Sequence, residues 1–288
     1  MIDSHTHSHY SKHAVGTVDE LAAAAIQKNV KVLTITDHAP FFVDKKNRLL
    51  EDELLSYFDD IERVRRRYAG RMKILTGLEF DFMPGSEPFL RRLLEMVQLD
   101  YVIGSIHYVP LGRELVKVWD LPRLNEPLVL DSYFRALQEL LTCNLFDAVG
   151  HADTLLRAVP EAVLFHRLDQ VLPLFASQRI SYELNTSGLR KSIYNPESGT
   201  EHAAGASYPS RQAVLALLAA GASFTIGSDA HDPIDVGAGI VPLLEELAPL
   251  GLHTVSYYEK RTRIDVPVSD ILGTNRTRGR RFGGMAMP

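Results

Sequence analysis

MIDSHTHSHY (residues 1–10) is a short run that leads into His5 and His7, and VKVLTITDH (residues 30–38) is a second that ends in Asp37 and His38. The second run is brief, apolar and rich in β-branched residues, the form of a strand buried on both faces. The form returns at Met72–Phe80 (MKILTGLEF), Tyr101–His107 (YVIGSIH), Phe146–Gly150 (FDAVG), Ile180–Asn185 (ISYELN) and Ala222–Gly227 (ASFTIG). Met1–His7 reads as a further strand. The segments between them carry helical periodicity. Thr17, with Glu20 three residues on, makes a capping box for a helix over Val18–Lys28. Leu54, Phe58, Ile61 and Tyr68 fall at helical spacing within residues 50–69, and Gly70 can close that helix. Helices are also expected over 88–98, 131–143, 160–178 and 209–220, with Asn144 and Gly221 where helix-ending residues belong.

Strands alternating with helices imply an α/β fold with a mostly parallel sheet. The strand–helix rhythm leaves two candidates, an open doubly wound sheet and a closed TIM-like barrel. No GxGxxG or Walker loop follows the first strand, which counts against the open nucleotide-binding sheet. The placement of titratable residues favours the barrel, because catalytic groups in a parallel barrel gather at the C-terminal ends of strands. His5 and His7 close the first strand, Asp37 and His38 the second, and Glu79 and Asp81 the third. His107 closes the fourth, His151 the fifth, and Asp229 and His231 the last.

Residues i and i+2 of a strand face the same way, so His5 and His7 can bind one ion together. Neutral imidazole with carboxylate suits Zn, Mn or Fe, and Glu79 can bridge two ions. Ions about 3.5–4 Å apart would clamp the attacking and leaving oxygens of a phosphoryl displacement. A lone histidine at a strand end is usually only a hydrogen-bonding group. His166, His202 and His253 keep that ordinary reading, and His9 is intermediate. For the strand-end set, convergence without metal would be costly polar burial.

The composition limits the alternatives. The chain has 288 residues, 45% hydrophobic and 23% charged, with a net charge of -5. That balance gives no general attraction to nucleic acid or an anionic membrane surface. Cys143 is the one cysteine, which excludes an intrachain disulfide and a thiolate zinc finger and fits a reducing cytoplasm. Neither a signal peptide nor an 18-residue apolar span is visible. Leu189–Ser207 is a long polar loop of the kind that is functional or disordered. The Gly- and Arg-rich Gly273–Pro288 is expected to be a flexible tail after a single catalytic domain over residues 1–272. The sequence gives no signature of oligomeric state.

Six motifs, HTHSHYS (5–11), ITDHAP (35–40), GLEFDF (77–82), SIHY (105–108), GHAD (150–153) and GSDAH (227–231), together resemble the polymerase-and-histidinol-phosphatase (PHP) superfamily. YELNTSGLRK (182–191) followed by YPS (208–210) is similar to its histidinol-phosphate phosphatase branch. The resemblance implies a distorted (β/α)7 TIM-like barrel with a site for up to three divalent ions. Carried over by motif, His5, His7, Glu79 and Asp229 would hold the first ion. Glu79, His107 and His151 would hold the second, and His13, His38 and His231 the third. It further implies hydrolysis of a small phosphate monoester, L-histidinol phosphate, with metal-activated hydroxide as nucleophile.

Arg157 and Arg190, with Lys191 behind them, are candidates for neutralising the phosphate. Asp81 or a free imidazole is a candidate acid for the leaving group. Tyr10, Phe41, Phe82 and Trp119 are available to line a substrate pocket, and Asp120 or Glu114 to meet an amine. Three other readings are a phosphoesterase acting on nucleotide bisphosphates or nucleic-acid ends, a non-catalytic metal-binding regulator, and an amidohydrolase. The lack of a basic groove, the intact ligand set and the absence of a strand-end lysine count against them in turn.

Overall fold

The apolar runs become strands because both faces of each are covered. They are β1 (Ile2–Asp3), β2 (Val32–Ile35), β3 (Lys73–Asp81), β4 (Tyr101–Ser105), β5 (Ala148–Val149), β6 (Ser181–Asn185) and β7 (Phe224–Gly227). The computed structural model describes residues 1–279 except 178, 196, 203, 204 and 206. β1 to β7 pair in chain order, every neighbouring pair parallel. The ring is closed by backbone hydrogen bonds between the segments that follow β1 and β7. Ser4 donates to Ile226 (2.9 Å), Asp229 to His5 (2.8 Å) and His7 to Ala230 (2.8 Å). The expected seven-stranded, distorted (β/α) barrel is therefore what the chain forms.

The outer layer consists of α1 (Val18–Gln27), α2 (Leu54–Arg67), α3 (Glu87–Met96), α4 (Pro127–Thr142), α5 (Glu161–Leu168), α6 (Leu172–Ser177), α7 (Arg211–Ala219) and α8 (Ile240–Leu247). The Thr17–Glu20 capping box is present at the start of α1. The single helix expected over 160–178 is two, because Pro173 has no N–H to continue the ladder and sits instead in the first turn of α6.

Two hairpins escaped the sequence reading. One, Tyr108–Leu111 with Glu114–Lys117, stands on the rim after β4. The other is β8 (Thr254–Glu259) with β9 (Thr262–Pro267), whose turn residues Lys260 and Arg261 both have positive φ (50° and 62°), as tight hairpin turns require. Arg261 reaches Asp147 Oδ2 (2.5 Å) and the Leu145 carbonyl (2.8 Å), so this hairpin covers the end of the barrel opposite the histidines. The long polar loop contains a small antiparallel pair, Ile193–Asn195 with Thr200–His202. The boundary expected at 272/273 falls inside α9 (Val268–Gly279), which encloses Gly273 because Val268 and Ile271 are buried and anchor its first turn. Residues 280–288 of the expected tail lie outside the described residues. Among the described residues no helix is long and apolar enough to cross a membrane.

Candidate metal centre

The strand ends deliver their side chains to one rim, and two glycines make the room. A Cβ at Gly227 would lie 2.4 Å from His5 Cβ, and one at Gly150 would lie 2.4 Å from Ser105 Oγ. Their successors His151 and Asp229 have positive φ (24° and 51°), a strained setting for residues with side chains and one that proteins keep at functional sites.

Glu79, 1% exposed, stands at the centre. Its Oε1 lies 3.0 Å from His151 Nε2 and 3.5 Å from His107 Nε2. Its Oε2 lies 3.5 Å from both His5 Nε2 and His7 Nε2, and 2.8 Å from His38 Nδ1, yet takes part in no hydrogen bond. Asp229 Oδ1 completes the first side at 3.3 Å from His7 Nε2 and 3.8 Å from His5 Nε2. His13 and His231 form the outer edge, their Nε2 atoms 3.1 Å apart.

The protonation pattern follows from the outer ring nitrogens. His5 Nδ1 is 2.5 Å from Glu183 Oε1, an acceptor, so the proton belongs on Nδ1. Ser11 Oγ donates to Asp37 (2.6 Å), so it accepts from His7 Nδ1 (3.1 Å). Burial alone would lower His5, but Glu183, Glu79 and Asp229 raise it well above the ordinary imidazole value, so without metal its Nε2 also carries a proton and donates to the bare Nε2 of His7 at 2.9 Å, a proton that a bound cation would displace. At the outer edge, His13 Nδ1 donates to the Ser11 carbonyl (2.8 Å) and His231 Nδ1 to the Asp229 carbonyl (3.1 Å), leaving their two Nε2 lone pairs opposed. Opposed lone pairs repel unless a cation lies between them, and the donors are of the nitrogen and carboxylate type that divalent ions take.

The electrostatics agree. Burial, reinforced by neighbouring imidazoles, lowers His7 and His231 to about 3, and burial against the pull of Glu79 brings His38 to about 3. All three are neutral at pH 7, the form that binds metal. Burial alone would raise Glu79 and Asp229. The imidazoles of His38 and His5 beside Glu79, and the Lys191 ammonium and His5 beside Asp229, hold them instead well below the usual carboxylate range. Four three-residue groups able to hold an ion occur within this set: His5–His7–Asp229, His5–Glu79–His151, His38–Glu79–His107 and His7–His38–His231. His13 is the nine-residue set's outlier, exposed and reaching only His231 and His38.

The other expectations divide. Arg157 and Lys191 line the cavity of about 390 Å³ over the cluster. Lys191 Nζ is 3.2 Å from Asp229 Oδ2, while Arg157 Nε donates to the Ser192 carbonyl (2.9 Å). Arg190 is a correction. It donates to the Ser228 carbonyl (2.6 Å) and pairs with Asp235 (3.2 Å), and so is spent on bracing the loop after β7. Asp81 is another. It is buried between Arg48 and His107 Nδ1, whose charges outweigh burial and hold it at about 2, so it orients His107 and has no proton to give. Of the four aromatics only Trp119 lines the cavity. Phe41 and Phe82 are core, and Tyr10 bonds Asp60. Glu114 is tied to Arg123, and Asp120 lies outside the lining. His9, His166, His202 and His253 are exposed and stand outside the ligand groups. Sequence reasoning missed Glu183, Ser11 and Arg48, which hold His5, His7 and Asp81. The conspicuous signal for Glu183 was a carboxylate within an otherwise apolar strand, YELN.

Similarity to known proteins agrees with this geometry. Residues 3–187 match the PHP domain family model. A Deinococcus radiodurans protein named "Probable histidinol-phosphatase" is 32% identical over 271 residues, covering 91% of this chain and 98% of its own. The Bacillus subtilis "Histidinol-phosphatase" is 26% identical over 276 residues, covering 84% of this chain and 98% of its own. The Lactococcus lactis histidinol phosphate phosphatase, solved with zinc, L-histidinol and phosphate, superposes with a TM-score of 0.75 at 19% identity, covering 91% of this chain and 98% of that one. With a family model spanning more than half its length and a relative above 30% identity along nearly all of it, this chain belongs to the PHP domain family.

Proposed function

We propose that this protein is a metal-dependent phosphomonoesterase that hydrolyses L-histidinol phosphate to L-histidinol and phosphate, late in histidine biosynthesis and in the cytoplasm. The observation that carries this is the convergence of imidazole nitrogens and the Glu79 and Asp229 carboxylates into groups able to hold an ion, with Nε2 atoms only 2.9 and 3.1 Å apart, beneath a cavity lined by cations. His5, His7, Glu79 and Asp229 would hold one divalent ion, and Glu79, His107 and His151 a second. His13, His38 and His231 would hold a third. Zn, Mn and Fe all suit these donors, and zinc is the ion in the Lactococcus lactis structure. Ions bound there neutralise phosphate charge and bring the pKa of a coordinated water toward neutrality.

The chain's own contribution is to place and hold. Lys191 and Arg157, at the cavity wall, bind the phosphate oxygens and stabilise the charge that builds on them during transfer. Glu183, Ser11 and Asp81 fix the tautomers of His5, His7 and His107, so that each presents Nε2 to the centre. The test is phosphate release from a panel of monoesters, diesters and nucleotides, before and after chelation. The expected result is rapid turnover of histidinol phosphate, lost on chelation and restored by Zn or Mn. Diesterase activity without turnover of that ester, or full activity after exhaustive chelation, would overturn the proposal.

A further inference from the structure

The cavity has a second wall, made of Asp44, Asn47, Tyr108, Lys117 and Trp119. Two of the three carboxylates that line the cavity, Glu79 and Asp229, belong to the candidate metal cluster. Asp44 is the third, and it stands apart from the cluster. A negative charge in a chamber that receives a phosphate dianion works against binding unless the other end of the substrate is positive.

Asp44 is held there by neutral groups. Tyr108 OH donates to Oδ2 (2.6 Å), and Asn47 Nδ2 lies 2.9 Å from Oδ1 and 3.0 Å from Oδ2. Together with the nearby Lys117 and Arg48, which line the same cavity, these donors outweigh burial and keep the carboxylate ionised, while its own hydrogen bonds come from neutral groups. An Asp in the left-handed region is often no more than a turn residue, and Asp44 has φ 51°. Its carboxylate, however, bonds two side chains and is presented to the cavity. Beside it, Trp119 is 45% exposed and packs edge-on against Tyr108, with ring centres 5.4 Å apart and Lys117 Nζ 5.2 Å from the indole centre, so its ring contributes a flat surface to the cavity wall.

We propose that Asp44 is a specificity-determining residue that pairs with a cationic group on the alcohol portion of the substrate, restricting the enzyme to phosphate monoesters of amino- or imidazole-bearing alcohols. This rests on the phosphomonoesterase reading above. It assigns to the segment after β2 the role that the sequence offered to Asp120 or Glu114.

The experiment compares Asp44→Asn with wild type, both zinc-loaded, on four esters: histidinol phosphate, its deamino analogue 3-(imidazol-4-yl)propyl phosphate, phenylalaninol phosphate and 3-phenylpropyl phosphate, whose alcohol portion carries no charge. The readout is the ratio of kcat/KM for each ester to that for 3-phenylpropyl phosphate, which does not depend on the fraction of variant that is folded. The ratio for histidinol phosphate should fall at least about tenfold, chiefly through KM, as expected for loss of a charge-assisted hydrogen bond. A matching fall for phenylalaninol phosphate alone assigns the contact to the ammonium, and one for the deamino analogue alone assigns it to the imidazole. Ratios within about twofold of wild type would overturn the proposal while leaving the phosphatase reading intact. A wild-type enzyme inert toward all four esters would instead sink the phosphatase reading, and this inference with it.

Discussion

Glu183→Gln removes one charge and almost no volume from a fully enclosed position. Glu183 Oε1 meets His5 Nδ1 at 2.5 Å, while Oε2 accepts the His151 amide (3.0 Å) and the Asn185 side chain (3.0 Å). A carboxylate accepts on both sides, whereas an amide cannot. If glutamine turns its oxygen toward His5, its NH2 confronts two donors. If it turns the other way, His5 must accept at Nδ1 and carry its proton on Nε2, the nitrogen that faces Glu79 and Asp229. Each lost bond to a buried charged acceptor is worth about 1.5–3 kcal/mol. Loss of a carboxylate behind a metal-binding imidazole typically weakens metal affinity about 10–100-fold, or about 1.4–2.7 kcal/mol. Competition with a chromogenic chelator measures the zinc affinity, and a thermal melt of the chelated protein measures the loss that is independent of metal. Zinc affinity within about twofold of wild type would refute the role given to Glu183.

Three further outcomes are expected. Glu79→Gln should cut kcat by at least about 100-fold, and near-native turnover in a fully loaded, folded variant would contradict the bridging position. Arg157→Met should raise KM about tenfold, whereas Arg190→Met should cost about 1–2 kcal/mol of stability and leave KM nearly unchanged, as steady-state kinetics and denaturant melts of both variants will tell. Asp81 sits at about 2, below the ordinary carboxylate value because His107 and Arg48 outweigh burial. A depressed pKa stabilises the fold above the unfolded value of about 4, by about 2 kcal/mol, and that contribution is lost as pH falls through 2. The stability gap between chelated wild type and Asp81→Asn should therefore narrow as pH falls from about 4 toward 2; a gap that does not respond to pH there would count against the Arg48–Asp81–His107 chain.

The barrel and its rim were legible because the signals are local. A buried strand writes itself as a short β-branched run, and a ligand at its end stands within a few residues of it, as in VKVLTITDH and GSDAH. What escaped notice depends on partners distant in the chain. Arg157 and Arg190 are alike in sequence, and only the packed loops show that one lines the cavity while the other braces Ser228 and Asp235. Asp81 carries the strand-end signature of a working acid, but Arg48, buried in the segment that follows β2, commits it to His107. The rim hairpin at 108–117, which pairs with itself, and the β8–β9 hairpin, which joins the sheet at β7 through Ser256, were missed because each carries an exposed strand whose residues lack a continuous apolar run.

The seam of the barrel has a kinetic consequence. Asp3 grips the Ser228 amide (2.9 Å), its hydroxyl (2.6 Å) and the Gly237 amide (2.7 Å), and Ser228 is 225 residues away in the chain. The neighbouring contact between Thr6 and Thr36 spans only 30. Closing the longer loop costs about 2 kcal/mol more chain entropy, and the long span slows the search for the native arrangement. While the polypeptide is still being synthesised, His5 and His7 wait without Asp229 and His231. The candidate cation-binding pocket is therefore among the last parts of the molecule to be assembled, and a nascent chain halted before its final third lacks Asp229, one of the four residues that would hold the first ion.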